Sequence, residues 1–173
     1  LPVGARAVLL GGGFPEVFAR DLSANTAMHA SLHAAAAGGV PVYGECGGLM
    51  YLGRALTDAE GVRHGMTGLL PCESTMHGTR LTLGYREAES LGTPLLPAGE
   101  RVRGHEFHFS TLTVPPGAAT AAYRFLDPDR VDGVRAGSVT GTYLHTHLAA
   151  RPDLAPNLVA AALGAGAGPA VSA

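Results

Sequence analysis

Residues 41–52 read PVYGECGGLMYL. A short apolar strand candidate, Val40 to Tyr43, leads through Gly44 and Glu45 to Cys46, and a helix-competent stretch follows at once. A strand-to-helix turn of this kind pushes its central side chain out of the sheet edge and toward the positive end of the new helix, which makes it a nucleophile elbow. The flanking residues Gly44, Gly47 and Gly48 suit a sharp turn whose backbone a substrate must approach closely. An ordinary thiol has a pKa of about 8.5 and a helix N-terminus lowers it, so the pattern predicts a reactive thiolate at Cys46. The competing reading of Cys46 is a buried structural cysteine, and Cys72, which follows Pro71 in a loop, is most simply structural.

Upstream, Ala5 to Leu10 (ARAVLL) reads as a buried strand running into GGGFPE, residues 11–16. The glycines of that turn expose backbone N–H groups at the strand's carboxyl end, a place for an anion. Pro15 opens a first helical turn; from a cap at Ser23 or Asn25, TAMHASLHAAAA continues as helix until Gly38 and Gly39 stop it. Strand, helix, strand and helix in that order imply parallel pairing with crossover helices, and ligands of such sheets bind at the carboxyl ends of the strands. Both glycine turns lie on that edge. The N–H of Gly47, with one from Gly12 or Gly13, would form an oxyanion hole for a tetrahedral intermediate at Cys46.

Downstream, TRLTLGYREAES (79–90) reads as antiparallel and edge-like, and RVRGHEFHFSTLTV (101–114) alternates cleanly. In an extended chain Glu106, His108 and Ser110 share one face, and His105, Phe107 and Phe109 the other. The aromatic pair is expected to mark the core side. Ala121 to Leu126, Gly133 to Arg135 and Ser138 to Leu144 read as three more strands. In GTYLHTHL (141–148) His145 and His147 share a face with Tyr143. A last helix spans about Pro152 to Leu163 and gives way to a Gly/Ala-rich tail that need not be ordered.

A cysteine nucleophile needs a base that takes its proton and returns it to the leaving group; His145 or His147 can supply one. A metal is the rival use of the histidines. His29 and His33 lie four apart on a helix, but no HExxH glutamate accompanies them, and His105, Glu106, His108, His145 and His147 form a looser cluster. No metal site is assigned to either group. His64 and His77 carry no readable signal.

The 173 residues suit one domain, and 46% apolar against 15% charged residues, with 25 glycines and 12 prolines, point to a globular α/β protein. A formal net charge of −2 leaves no basic footprint for nucleic acid or anionic lipid. Two cysteines make no disulfide framework, and the sequence holds neither a long apolar run nor a signal segment, so a cytoplasmic protein without membrane contact is expected. No Gly-Lys-Ser/Thr follows the GGG turn, so it is not an ATP-binding P-loop.

LLGGGFPE, YGECGGLMYL, MTGLLP, LGYRE, RGHEFHFS and GTYLHTHL, in this order from Leu9 to about Leu163, resemble the glutamine amidotransferase domain of cobyrinate and hydrogenobyrinate a,c-diamide synthases. The resemblance implies a class I amidotransferase fold, flavodoxin-like, with a mixed, mostly parallel sheet and flanking helices. It also implies hydrolysis of glutamine through a γ-glutamyl thioester on Cys46, with His145 as general acid and base. The ammonia would amidate the a and c acetates of a corrinoid in cobalamin biosynthesis. ATP and Mg2+ would belong to an upstream synthetase domain that this chain lacks, and no cofactor to this domain. The family's domain normally opens with one more strand and helix, so the sheet is expected to lack its first unit.

Two departures from the wider class stand out. The acid usually found two residues after the catalytic histidine is His147 here, which leaves His147 and Glu106 as candidates for the third member. The glutamine often found four residues after the nucleophile is Met50, so Glu106, His108 and Ser110 become candidates for holding the substrate glutamine. Whether the corrinoid carries cobalt and whether the protein forms a homodimer stay open. So do amidation of another tetrapyrrole or carboxylate, a different cysteine hydrolase or isomerase on this scaffold, and a non-catalytic histidine-rich metal or ligand binder.

Overall fold

A computed structural model describes residues 1–164, and the tail at 165–173 lies outside the described residues. The chain opens with β1 (Val8–Leu10), α1 (Ala19–Ala24), α2 (Thr26–Ala37), β2 (Val42–Glu45) and α3 (Gly47–Leu52). Short strands β3 (Ala55–Thr57), β4 (Arg63–Gly65) and β5 (Glu73–Thr75) follow, then the long pair β6 (Thr82–Ser90) and β7 (Arg101–His108). After β8 (Thr111–Thr113) come β9 (Tyr123–Leu126), β10 (Asp129–Asp132), β11 (Val134–Ala136) and β12 (Val139–Thr142), a 3-10 turn at Leu148–Ala150 and α4 (Leu154–Gly164).

The site-bearing sheet has the order β1-β2-β12-β11. Both β1 and β12 run parallel to β2, and β11 is antiparallel to β12. This is the expected mixed, mostly parallel sheet with its crossover helix α2. Asn25 caps that helix by accepting from the Met28 N–H at 3.1 Å, and Gly39 ends it at φ +78°. Strand β2 begins two residues later than the sequence suggested and so runs right up to Cys46. Its alternating side chains join two cores: Val42 packs with Leu32, Leu49, Leu52 and Leu70, and Tyr43 with Leu96, Tyr123, Phe125 and Leu144.

The second sheet, β10-β9-β6-β7, is wholly antiparallel, and a third has the order β4-β3-β5-β8. In β7 the alternation is as read, but the sides are reversed. Val102, Glu106 and Ser110 are buried, whereas Phe107 and Phe109 are 47% and 45% exposed. The carboxylate of Glu106 goes inside because it is fully partnered. Arg86 donates to it at 2.6 Å from β6, Arg130 donates from β10, and His108 stands at 3.4 Å. Burial alone would raise its pKa, but hydrogen bonds from His108, Arg130 and Arg86 outweigh that and hold it at about 2.

Asp132 ends β10 and is likewise buried. Its carboxylate accepts from the Thr142 hydroxyl and from the N–H groups of Tyr143 and Leu144, at 3.2 and 3.3 Å. This cap takes the chain off the sheet after Thr142, two residues before the expected strand end, and sends His145 across to β7. There His145 donates to the His105 carbonyl at 2.8 Å and accepts from its N–H at 3.1 Å. Among the described residues no helix is long and apolar enough to cross a membrane, and Cys46 and Cys72 are both free thiols.

The Glu106 cluster generates an acid limb of stability. A carboxyl whose folded pKa lies below its unfolded value stabilises above the unfolded value, and loses that contribution as pH falls through the folded one. Glu106→Gln should cost about 3 kcal/mol in urea unfolding at pH 7, because two guanidinium groups lose their anion. The wild type should lose stability relative to this variant between about pH 4.5 and pH 2.

Candidate active site

Cys46 has φ +51° and ψ −103°, and it is the one non-glycine with positive φ among the described residues. Its N–H donates to the Thr142 carbonyl at 2.8 Å, and its own carbonyl accepts the first helical bond of α3 from Met50 N at 3.1 Å. A methyl carbon at Gly44 would lie 2.7 Å from the Gly48 carbonyl carbon, and one at Gly47 2.8 and 2.9 Å from the Gly13 oxygen and nitrogen. At Gly48 it would strike the Leu10 carbonyl. The elbow and the GGG turn therefore touch backbone to backbone.

The sulfur is 3.7 Å from the Phe107 carbonyl. Burial pushes the thiol pKa up, the Gly47 N–H pulls it down, and the carboxylates of Glu16 and Glu45 push it up again. The net direction is upward, which corrects the expectation of a resting thiolate. Helix α3 has only six residues, and the desolvation of the sulfur outweighs what its N-terminus offers.

His145 reaches the same place from the far end of the chain. A methyl carbon built on Gly12 would lie 2.6 Å from His145 Cε1 and 3.7 Å from Cys46 Cβ. Thiol and imidazole thus border one small space whose third wall is Gly12. Its ring stacks on His105, with centroids 4.8 Å apart and planes 8° apart. Burial, then His105 and His108, lower its pKa, so it rests as a neutral base.

The other sequence candidates are engaged in contacts of their own. His147 is exposed and caps the 3-10 turn by accepting from the Ala149 N–H at 3.3 Å; with β12 ended at Thr142, the common face expected for Tyr143, His145 and His147 does not form. Glu106 is held by its arginines and makes no ion pair with His145 among the described residues. His108 stacks on Tyr143 at 3.7 Å and faces the Ser110 carbonyl at 2.8 Å. The Ser110 hydroxyl shares a 2.7 Å bond with the Tyr143 hydroxyl and lies 3.4 Å from the Met50 sulfur. Glu106, His108 and Ser110 are thus an internal network behind the elbow.

His29 and His33 face the carbonyls of Leu22 and Thr67 at 2.9 and 2.7 Å, and no group of three His, Cys, Asp or Glu could hold a metal among the described residues. Two residues outside the catalytic candidates stand at the site as well: His105, named above only in the loose histidine cluster, and Glu45. His105 stacks on His145, and Glu45 places Oε2 3.9 Å from His145 Nδ1. The signal for Glu45 was its position: a carboxylate next to a nucleophile, at the end of a strand buried on both faces.

Residues 1–153 match the CobB/CobQ-like glutamine amidotransferase domain family. A cobyrinate a,c-diamide synthase of Salmonella typhimurium is 46% identical over 162 residues, covering 90% of this chain and 35% of that protein. A hydrogenobyrinate a,c-diamide synthase of Streptomyces coelicolor is 44% identical over 161 residues, covering 92% and 32%. The chain spans about a third of the length of these relatives. In fold it is similar to a crystal structure of a glutamine amidotransferase, with a TM-score of 0.62 at 17% identity over 92% of this chain and 80% of the other.

The raised thiol pKa has a direct readout. Alkylation of Cys46 by iodoacetamide should rise steadily with pH and not level off by about pH 8.5, the ordinary thiol value. Cys72 is buried and pushed up to about 12, so the Cys46→Ala variant should take up almost no label. A plateau below about pH 7 would mean a thiolate at rest and overturn this electrostatic picture.

Proposed function

The chain belongs to the CobB/CobQ-like glutamine amidotransferase domain family, and from that membership and the geometry around Cys46 we propose that it releases ammonia from glutamine for the a,c-diamidation of a corrinoid. The observation that carries the glutaminase half is the space at Gly12, bordered at once by the Cys46 side chain and the His145 ring. The corrinoid half rests on the relatives named above. It would be performed by a synthetase part of a longer protein.

In this reading, glutamine enters with its γ-carboxamide carbon at the sulfur. His145 takes the thiol proton as the sulfur attacks, and the negative oxygen of the tetrahedral intermediate is met by the N–H of Gly47 and by one from Gly12 or Gly13. Collapse breaks the C–N bond while His145 returns the proton to nitrogen, so ammonia leaves and a γ-glutamyl thioester remains. His145 then takes a proton from water, the resulting hydroxide attacks the thioester, and glutamate departs as the thiol is restored. Thiol and imidazole are both neutral at rest, so charge is created only as bonds change, in a site lined by backbone donors.

ATP and Mg2+ would activate the acceptor carboxylates in the synthetase part. The described residues of this chain do not fit them. The GGG turn continues as Phe-Pro-Glu rather than Gly-Lys-Ser/Thr, and no trio of metal donors assembles among the described residues.

Two substitutions in the full-length protein test the reading. Cys46→Ala should abolish glutamine-dependent amidation while added ammonia still supports it, and a diazo-ketone analogue of glutamine should label the wild type at Cys46. Retained glutamine use in the alanine variant would sink the assignment. Gly12→Ala places a methyl group against the imidazole on a backbone that needs no left-handed φ. It should lower glutamine hydrolysis on the order of 100-fold, with Tm moving by less than about 3 °C.

A further inference from the structure

We propose that Glu45 is the positioning residue of His145, fixing the imidazole and holding it when it becomes charged. The proposal rests on the glutaminase reading and adds to it the acid that neither His147 nor Glu106 supplies. Oε1 of Glu45 accepts two hydrogen bonds from one residue, the N–H of Thr146 at 3.1 Å and its hydroxyl at 2.7 Å. That grip fixes the carboxylate plane and leaves Oε2 facing His145 Nδ1 at 3.9 Å. The two side chains are 14% and 20% exposed, so little solvent screens them. Among the described residues no other carboxylate lies within ion-pair distance of this ring.

At 3.9 Å the contact is longer than a hydrogen bond. Burial, then the neighbouring imidazoles of His105 and His108, favour the neutral ring, so the full ion pair with Glu45 belongs to the step in which the ring is protonated. When the Cys46 proton moves to the ring, Nδ1–H becomes a cationic donor and the carboxylate accepts from it without taking the proton. Both groups also line a cleft of about 410 Å³ shared with Tyr85 of β6, Arg103 and His105 of β7, and His147. Of these, His105 lies against the ring; burial raises the Glu45 pKa, while the two Thr146 hydrogen bonds and then His105 lower it. Burial dominates and leaves Glu45 above its ordinary value.

The test is steady-state glutamine hydrolysis by the full-length protein across pH. Glu45→Gln keeps the shape and an acceptor for Thr146 but turns an amide toward Nδ1. It should lower kcat on the order of 100-fold while KM for glutamine changes by less than about twofold. Removing an anion beside the ring lowers the imidazole pKa, so the acid limb of kcat/KM should move to lower pH. Glu45→Asp keeps the charge but withdraws it, and should lose about tenfold in kcat with KM unchanged.

If wild type hydrolyses glutamine, Cys46→Ala does not, and Glu45→Gln keeps kcat within about threefold on an unmoved pH profile, then the role of Glu45 fails and the glutaminase reading stands. If wild type hydrolyses no glutamine, the glutaminase reading fails first. Should Glu45→Gln not fold, Glu45→Asp decides: wild-type kcat overturns the proposal, and a kcat loss at constant KM supports it.

Discussion

The positive φ of Cys46 costs about 1 to 3 kcal/mol, and the fold sustains it by leaving side chains out. Gly44 faces Gly48 across the turn, Gly47 faces Gly13, and Gly48 faces the Leu10 carbonyl, each so closely that a methyl group would collide with backbone. Two glycine loops from separate crossovers are thereby interlocked. Backbone against backbone has no rotamers to change, so the Gly47 N–H beside the sulfur is placed by the same packing that keeps the elbow strained. What reads in the sequence as two glycine-rich turns is one mechanical unit.

Electrostatics at this unit run against a preformed ion pair. Burial raises the thiol and lowers the imidazole, and each shift favours the neutral form. The burial responsible for this also strengthens any interaction with charge that appears later, because fixed donors at buried atoms act at a lower effective dielectric than in water. A thiol and an imidazole that both rest neutral, with the Gly47 N–H at the sulfur and the Glu45 carboxylate near the ring, suit a reaction in which an oxyanion and an imidazolium arise together.

The parallel core was legible because its signals are local. An apolar run, a glycine turn and a helix cap each fix a few neighbouring residues, and together they located β1, α2, β2 and the edge on which Cys46 and Gly12 stand. Long-range polar pairing was not legible. Arg86 and Arg130 come from two other strands, and without them in view a carboxylate at Glu106 looks solvent-facing and Phe107 looks like core. The same blindness hid Glu45: its partners are 100 residues away, and only the winding of β12 beside β2 brings them together. Strand alternation was readable, but which side faced inward depended on partners that no spacing rule reports.

His145 lies outside every strand, yet its surroundings hold it as a strand would. The N–H groups of Tyr143 and Leu144 donate to Asp132, that of His145 to the His105 carbonyl, and that of Thr146 to Glu45. Four consecutive donors are satisfied, and two of the three acceptors are side-chain carboxylates set on either side of the histidine. A buried N–H needs a partner, and one supplied by a rigid strand also supplies position. Asp132 anchors the approach to His145 and Glu45 its exit, so the acid that faces the imidazole also secures the backbone just beyond it. Loss of that carboxylate would loosen the chain and strip the ring of its anion together, which is why a charge-sparing and a charge-removing change at Glu45 must be compared to separate the two.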